Sequence, residues 1–180
     1  MKNKYGAVVF QCFTHEQVKE INEEIRKNLE KEQKPEASAQ NVNKIGKFSY
    51  ISCQPLMKMI HPWLSMCQQI NRNCFGYDIY WNFHFESLNY NVYEENGEYG
   101  WHIDANREGT PVDVKLTCLL NLSEEPYEGG EFYMTNVEDE IKFTSGEGIV
   151  LTSLIAHKVA PITKGERISL TYWAEGPSWK

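Results

Sequence analysis

The sequence predicts an α+β fold that is mainly β, with helices preceding a β-rich C-terminal part. Apolar residues recur at helical spacing only within residues 1–76. After Gly76, short segments with strand-like alternation are separated by turn sequences such as E-G-G and S-G-E-G. Many short strands behind a helical layer are typical of a β-sandwich or barrel. With 180 residues, the chain is predicted to form one domain, 1–180.

Two helices are predicted in the region 1–76. The first begins near residue 15, after the N-cap candidate Thr14, with Gln17 three residues later. The second covers "PLMKMIHPWLSMCQQINRNCF", where Pro62 is expected to break or restart the helix. Between them, residues 34–47 are polar and contain Pro and Gly, which predicts a loop that is mobile or acts as a lid.

The strands are predicted from alternating apolar residues. In "DIYWNFHFESLNYNVY" the alternation runs from Ile79 to Phe85 and slips by one residue at Leu88, which indicates a β-bulge or two strands. His84 lies inside this run and is predicted to be a core or pocket residue, not a metal ligand. Further strand-like segments follow: "VKLTCLLNLS", "GEFYMT", "EIKFT", "GIVLT", "HKVAPI" and "ERISLTYW".

Charge and cysteine content narrow the class of protein. The net charge is −7 and the chain has no Lys/Arg-rich stretch, which argues against nucleic acid or an anionic membrane as a partner. The five cysteines are odd in number and form no C-x-x-C pair, so we expect reduced thiols and no disulfide frame or zinc site. No signal-peptide pattern or membrane-spanning apolar run is present, and a cytoplasmic location is expected.

The stretch "GEYGWHIDANREG" contains an H-x-D motif, His102 and Asp104. Residues two apart on a strand face the same side, so the two side chains can reach one point. A single H-x-D is weak evidence, but His157 is the only histidine downstream and can supply a third ligand. Two histidines and one carboxylate leave three open positions, as in non-haem Fe(II) oxygenases. Zinc enzymes use similar ligands but commonly keep one open position.

Arg167 follows His157 by ten residues, and Ser169 lies two residues further on the same strand face. A guanidinium can bind a carboxylate through two parallel hydrogen bonds, and a nearby hydroxyl adds another donor. Together with the triad, this pair predicts a site for the distal charge of a dicarboxylate. The alternative is a surface arginine on an edge strand.

These motifs resemble the Fe(II)/2-oxoglutarate-dependent dioxygenases, in particular the prolyl 4-hydroxylase-like branch. The resemblance runs through "YEENGEYGWHID", "LTCLLNLSEEPYEGGEF" and "GEGIVLTSLIAHKVAPITKGERISLTYW". It implies a double-stranded β-helix, or jelly-roll, over residues 77–175, with residues 1–76 as a helical support region.

The resemblance also implies a site. His102, Asp104 and His157 would hold Fe(II), and Arg167 would bind the far carboxylate of 2-oxoglutarate. Further contacts to the cosubstrate are implied for Tyr93, Ser169 and Asn121, the last of which stands where the family often has a tyrosine. Many animal and algal relatives have lysine at the position of Arg167, so this pocket looks more like that of bacterial and oxygen-sensing relatives.

Substrate contacts near the iron are implied for Tyr99 and Trp173. Either aromatic side chain could instead belong to the core. Arg107 in the loop 105–112 is a further candidate contact, with an exposed loop residue as the alternative. The loops 34–47 and 105–112 are expected to close over a peptide.

The implied reaction consumes 2-oxoglutarate and O2, hydroxylates a C–H bond and releases succinate and CO2, with ascorbate as the expected reductant of oxidised iron. The favoured substrate is a peptidyl proline or another protein side chain. A free amino acid or other small molecule is the second possibility. A jelly-roll binding module without catalysis is the alternative from another class.

Overall fold

The computed structural model describes residues 2–4, 6–32, 37–40, 43–80, 87–105 and 112–179. The helices are α1 (His15–Glu32) and α2 (Met57–Ile70), with a 3-10 turn at Gln54–Leu56 and a π-helical turn at Asn71–Phe75. The strands are β1 (Lys2–Lys4), β2 (Ala7–Gln11), β3 (Ala37–Gln40), β4 (Lys44–Ser52), β5 (Ser87–Tyr93), β6 (Glu98–His102), β7 (Val112–Asn121), β8 (Glu128–Gly129), β9 (Phe132–Met134), β10 (Glu147–Thr152), β11 (His157–Val159), β12 (Ile162–Lys164) and β13 (Arg167–Pro177). Among the described helices, none has the length and apolar character needed to cross a membrane.

Helix α1 begins with the predicted cap. The Thr14 backbone N–H donates to Gln17 Oε1 at 2.9 Å, and the Gln17 N–H donates to Thr14 Oγ1 at 3.3 Å. This reciprocal pair satisfies two N–H groups at the start of the helix. Val18, Ile21 and Ile25 are buried, so the predicted apolar face is confirmed.

The predicted break at Pro62 is wrong, because helix α2 continues through this residue. Pro62 and His61 lie on the exposed side, opposite the buried Trp63 and Leu64. The proline removes the hydrogen bond to the carbonyl of Lys58, which is itself an exposed residue that water can solvate. Packing of the apolar side outweighs this local loss.

The loop predicted for residues 34–47 is wrong for the part that the structure describes, which is mainly strand. Strand β3 pairs antiparallel with β4, with Ala37 opposite Phe48 and Gln40 opposite Ile45. From Lys47 to Ser52, β4 pairs with β5, and its first two residues pair with the start of β6. Backbone groups form these ladders, so the polar composition does not prevent a strand.

One eleven-stranded sheet dominates the fold. Its order is β1-β2-β10-β7-β13-β5-β4-β6-β11-β9, with β3 beside β4, while β8 and β12 form a separate pair. Strands β7 and β9 are six places apart, yet Leu119 on β7 shares one apolar cluster with Phe132 and Met134 on β9. The sheet must therefore curl back on itself, and the predicted jelly-roll is confirmed.

The strands at the centre of the sheet have two different faces because side chains alternate along a strand. The helix face of β7 and β13 packs with α1 and α2 in one apolar cluster, through Leu116, Cys118, Leu120, Leu170 and Tyr172. The inner face of the same strands points into the curl, through Thr117, Leu119, Ser169, Thr171 and Trp173. The helical layer thus supports the sheet from one side and leaves the other side for a site.

Three further details differ from the sequence predictions. Residues 1–76 are more than a helical support, because they supply β1 to β4, and β4 lies between β5 and β6. Residues 76–80 form no strand, and β5 begins at Ser87. The remainder of the alternating run from Ile79 to Phe85, His84 included, lies outside the described residues. The segment "EIKFT" contributes one isolated bridge, between Ile141 and Phe132.

Candidate metal and anion site

Three predicted ligands converge inside the curl. His102 ends β6 and lies opposite His157, the first residue of β11, so their rings are 4.2 Å apart between centroids. Asp104 Oδ1 is 3.7 Å from His102 Nε2, and Asp104 Oδ2 is 3.5 Å from His157 Nε2. One donor atom from each side chain lies within 4.8 Å of the other two. Atoms this close can share one metal ion with three ligands on one side.

Backbone carbonyls hold both imidazoles in the orientation that a metal needs. His102 Nδ1 is 2.8 Å from the carbonyl oxygen of Gly100, and His157 Nδ1 is 3.0 Å from that of Ile155. A carbonyl can only accept, so Nδ1 carries the proton in each ring and the Nε2 lone pair faces the site. Burial, with His157 beside it, lowers the pKa of His102 to about 4, which keeps this ring neutral and able to bind a metal.

The Asp104 carboxylate is oriented by two donors on the inner face. Thr117 Oγ1 donates to Asp104 Oδ2 at 2.6 Å, and Trp173 Nε1 donates to the same oxygen at 3.1 Å. Thr117 and Trp173 are directly opposite each other on β7 and β13. Trp173, predicted as a substrate contact, therefore lies against a candidate ligand. Thr117 was missed, because its register opposite Trp173 is not visible in the sequence.

Two tyrosines, Tyr93 and Tyr99, line the cavity that holds the triad. The Tyr99 ring stacks on the His102 ring, with centroids 3.6 Å apart and planes 10° from parallel. Burial, reinforced by the charge of Asp104, raises the pKa of Tyr99. Burial also raises the pKa of Tyr93, which is 3% exposed. Both phenols therefore stay neutral and can donate hydrogen bonds into the cavity.

Arg167 lies on the wall of the same cavity and is 1% exposed. Its Nη1 donates to Ser169 Oγ at 3.3 Å, whereas Nη2 is buried and finds no acceptor in the described part of the chain. The rings of Tyr93 and Phe143 flank the guanidinium at 5.8 and 5.5 Å. A buried cation with an unused donor is costly unless an anion pairs with it. The position therefore fits a carboxylate ligand.

Asn121 does not line the cavity, contrary to the sequence expectation. Its Nδ2 donates to the carbonyl of Phe143 at 3.0 Å and to Tyr127 Oη at 3.3 Å. Its Oδ1 accepts from the backbone N–H of Ser123 at 3.0 Å. The amide is thus occupied by bonds that hold the chain after β7. Arg107 and most of the predicted loop 105–112 lie outside the described residues.

The structure adds cavity residues that sequence reasoning missed. Strand β5 directs Leu88 and Tyr90 to the helical layer and turns Asn89, Asn91 and Tyr93 toward the cavity. The alternation within "LNYNVY" could have indicated these asparagines. Lys44 also lines the cavity. It carried no comparable signal, because its segment reads as a loop.

A larger open groove of about 600 Å³ adjoins this cavity and shares Phe132 with it, and Tyr127 and Phe143 also line the groove. Outside the set of His102, Asp104 and His157, the described residues contain no group of histidine, cysteine and carboxylate side chains close enough to hold a metal ion. The groove therefore has no counterpart to the triad, which lines the smaller cavity.

The curled sheet is a double-stranded β-helix, and its inward-facing His-Asp-His triad is the ligand set of non-haem Fe(II) oxygenases. Residues 88–175 match the family model of the 2OG-Fe(II) oxygenase superfamily. That segment includes the triad and Arg167, and over these residues it confirms the resemblance that the sequence motifs indicated.

Similar proteins include PKHD-type hydroxylases. One from Xylella fastidiosa is 36% identical over 99 residues, which cover 48% of this chain and 43% of that protein. One from Alteromonas mediterranea is 37% identical over 95 residues, covering 48% of this chain and 42% of that protein. The matched segment thus spans less than half the length of these relatives.

Solved structures share the fold across nearly the whole chain. A prolyl-4-hydroxylase from Pseudomonas putida has a TM-score of 0.71 at 20% identity, covering 95% of this chain and 92% of the other. A Trichoplax adhaerens prolyl hydroxylase, in complex with a hypoxia-inducible-factor peptide fragment, has a TM-score of 0.72 at 19% identity, covering 94% and 83%. The carbocyclase SnoK from nogalamycin biosynthesis has a TM-score of 0.69 at 14% identity, covering 95% and 79%.

Proposed function

We propose that this protein is an Fe(II)- and 2-oxoglutarate-dependent dioxygenase that hydroxylates a C–H bond of a peptidyl proline or another protein side chain. The observation that carries the proposal is the buried Arg167, whose Nη2 has no acceptor in the described part of the chain. It lines the same cavity as the triad. A triad alone suits many metal reactions, whereas a triad with a buried anion site suits a dicarboxylate cosubstrate that also chelates the metal.

The residues fit both groups. His102, Asp104 and His157 would hold Fe(II), and Arg167, Ser169 and Tyr93 would contact 2-oxoglutarate. When both are bound, iron and cosubstrate supply the oxidative chemistry, in which one oxygen atom of O2 enters the succinate formed with CO2 and the other enters the product.

The chain's own part is positioning. Thr117 and Trp173 fix the Asp104 carboxylate, and the two backbone carbonyls fix the imidazoles. The Tyr99 ring covers one side of His102 and keeps water from that ligand. These contacts preorganise the ligands before any metal or substrate enters, so little reorganisation is needed during the reaction.

The substrate proposal draws on the relatives. PKHD-type hydroxylases and prolyl hydroxylases support hydroxylation, and the Trichoplax adhaerens enzyme is seen with a peptide. A small-molecule substrate is the second candidate, because SnoK is a carbocyclase on the same fold. We also propose ascorbate as the reductant. The free state of all five cysteines supports a reducing compartment such as the cytoplasm.

The test is succinate release. Purified protein is mixed with Fe(II), 2-oxoglutarate and ascorbate in air, with and without a pool of proline-containing peptides. We expect slow succinate formation alone, faster formation with a substrate peptide, and a peptide product heavier by one oxygen atom. The absence of any succinate, together with no Fe(II) binding by calorimetry, would contradict the proposal and favour a non-catalytic binding module.

A further inference from the structure

Asn89 is a buried polar side chain in the candidate site that has no part in the proposed chemistry. It lies on the inner face of β5, lines the cavity and is 2% exposed. Its side-chain amide forms no hydrogen bond with any residue that the structure describes. A primary amide offers two donors and one acceptor, and burying these groups without partners is unfavourable. The amide is therefore available to a molecule that enters the cavity.

Asn91 shows how a structural asparagine on the same strand and face behaves. Its Oδ1 accepts from Lys44 Nζ at 2.8 Å. Its Nδ2 donates to the backbone carbonyl of Asn89 at 3.1 Å and to Thr171 Oγ1 at 3.3 Å. The two asparagines are buried to nearly the same extent, at 2% and 4%, so burial does not separate them. Their amides do, because the Asn91 amide is occupied within the sheet and the Asn89 amide is left for a ligand.

The strand register places Asn89 between the two ends of the candidate site. Asn89 lies opposite Thr171 on β13. On the same face of β13, Trp173 lies two residues away and donates to the candidate ligand Asp104, whereas Arg167 lies four residues away in the other direction. The Asn89 amide therefore lines the cavity between the candidate metal ligands and the anion site.

The face of the sheet that carries Asn89 is open to solvent one strand away. Tyr50 of β4 lies directly opposite Asn89 on the side away from β13, and Tyr50 is 49% exposed. Directly opposite residues of neighbouring antiparallel strands point to the same face of a sheet. A substrate segment bound near the triad can therefore extend past Asn89 toward the surface.

The hydrogen-bonding capacity of the amide favours the substrate over the cosubstrate as its partner. The oxygen atoms of the 2-oxoglutarate dianion only accept hydrogen bonds, and Arg167 Nη2 supplies a donor for them. The cosubstrate therefore offers nothing to Asn89 Oδ1, which is itself an acceptor. A residue in an extended peptide directs its N–H and C=O to the same side, as in an antiparallel strand pair. One asparagine amide can bind both of these groups.

We propose that Asn89 is a specificity-determining residue that binds the backbone of a peptide substrate. Its Nδ2 donates to the carbonyl oxygen, and its Oδ1 accepts from the N–H, of one extended residue beside the residue that reacts. The inference rests on the proposed function and narrows its substrate class to peptide or protein segments bound in extended form. Proline has no backbone N–H, so when a proline reacts, the contact falls on one of its neighbours.

The experiment starts from the peptide, within the proline-containing pool, that most increases succinate formation by the wild-type protein. Two analogues carry a methyl group on the backbone nitrogen of the residue before or after the hydroxylated one. Protein loaded with 2-oxoglutarate and with Zn(II), which has no redox chemistry, is titrated with all three peptides by calorimetry. We expect one analogue to bind about tenfold more weakly than the parent, because Asn89 Oδ1 loses its donor.

The variant Asn89→Leu assigns this preference to the amide. It should bind the parent peptide about tenfold more weakly and no longer distinguish it from the analogue, while its affinity for 2-oxoglutarate stays unchanged. Asn73→Leu makes the same change at an exposed position of the π-helical turn, and this control should keep the wild-type preference. Circular dichroism checks that each variant folds, and Asn89→Ala serves if Asn89→Leu does not.

Stability without ligand separates binding from a structural role. Asn89→Leu should unfold at the same urea concentration as the wild type or at a higher one, because no side-chain hydrogen bond to the described residues is lost. Asn91→Leu should unfold at a lower concentration, since it loses three hydrogen bonds. A less stable Asn89→Leu with unchanged peptide binding would mean that Asn89 is structural.

Four further results would overturn the inference. Equal binding of all three peptides by the wild type, or a preference that persists in Asn89→Leu, would remove the backbone contact and leave the proposed function standing. A loss of 2-oxoglutarate affinity in Asn89→Leu, with the peptide preference intact, would assign Asn89 to the cosubstrate. Succinate formation that no peptide increases would remove the peptide substrate but keep the dioxygenase. Wild-type protein that forms no succinate at all would remove the proposed function and this inference together.

Discussion

The two faces of β7 and β13 are built from the same strands but have opposite composition. The helix face consists of buried apolar residues packed against α1 and α2. The inner face carries threonines, a serine, an arginine and a tryptophan that surround the triad. The comparison shows a division of labour: side chains one residue apart serve stability on one side of the sheet and the candidate chemistry on the other. Substitutions on the two faces should therefore have separable effects.

The largest expected effect is on the inner face, in His157→Ala. This change removes one of three candidate ligands, so metal binding should weaken strongly and succinate formation should fall below detection. The far-ultraviolet circular dichroism should stay close to that of the wild type. Metal content and succinate are measured on the same sample. Turnover equal to that of the wild type would remove His157 from the ligand set.

On the helix face, Leu120→Ala should give the opposite result. Leu120 is fully buried between the sheet and the helices. Truncation of such a residue lowers the free energy of unfolding by about 2–5 kcal/mol. Urea denaturation measures this loss, and succinate formation per folded molecule should stay near that of the wild type. A large loss of specific activity in the still-folded variant would contradict the separation of the two faces.

Arg167→Met should affect both cosubstrate binding and the free energy of unfolding. The KM for 2-oxoglutarate should rise about 30-fold or more, because truncating one partner of a buried charge pair costs about 2–5 kcal/mol. Without ligand, the free energy of unfolding should be unchanged or higher, since an apolar side chain replaces a buried cation without a carboxylate partner in the described part of the chain. Steady-state kinetics and urea denaturation test the two statements. A less stable unliganded variant would mean that Arg167 is structural.

Thr117→Val, also on the inner face, should lower metal affinity, but less than His157→Ala. The change keeps the side-chain shape and removes one of the two donors to Asp104 Oδ2. Loss of such a supporting hydrogen bond lowers metal affinity about tenfold. Calorimetry with Fe(II) under anaerobic conditions measures it. Thr152→Val, which removes a hydroxyl contact to Tyr77 on the helix side, is the matched control and should not change metal affinity.

The smallest expected effect is a pH dependence at Lys44. Its pKa is lowered from 10.5 to about 8, chiefly by burial. Between these two pH values the unfolded chain binds more protons than the folded chain, so the cost of the buried cation is full below pH 8 and falls as the pH rises. Lys44→Met should therefore be more stable than the wild type below pH 8, by a difference that shrinks toward pH 10.5. A difference independent of pH in urea denaturation would contradict this origin.

Much of the difference between the two sheet faces could be predicted from the sequence, because the alternation of apolar residues and the helix cap are local patterns. The cap at Thr14, the strand segments and the order of His102, Asp104, His157 and Arg167 are all visible in the printed chain. Continuation of α2 through Pro62 was not visible, because it depends on which side of the helix meets water. Tertiary context overrides a local preference there.

The rest of the site depends on pairings between distant segments. The start of β4 falls within residues 34–47, which the sequence predicted as a loop. Its strand character depends on pairing with β6, and Lys44 was missed for that reason. Thr117 and Trp173 meet at Asp104 only through the register of β7 with β13. Asn121 was misplaced because a strand position does not reveal that its amide is already bound elsewhere.

The alternation along β7 also bears on resistance to oxidative damage. Cys118 lies on the helix face, beside the buried Cys67 of α2, and desolvation raises the pKa of the Cys67 thiol. Reactive oxygen species leaking from an iron centre of the proposed kind would have to cross the backbone of the sheet to reach these sulfurs. Its raised pKa also keeps the Cys67 thiol from forming the thiolate that such oxidants attack. Sulfenic acid should therefore form at Cys67 and Cys118 only once the sheet has opened.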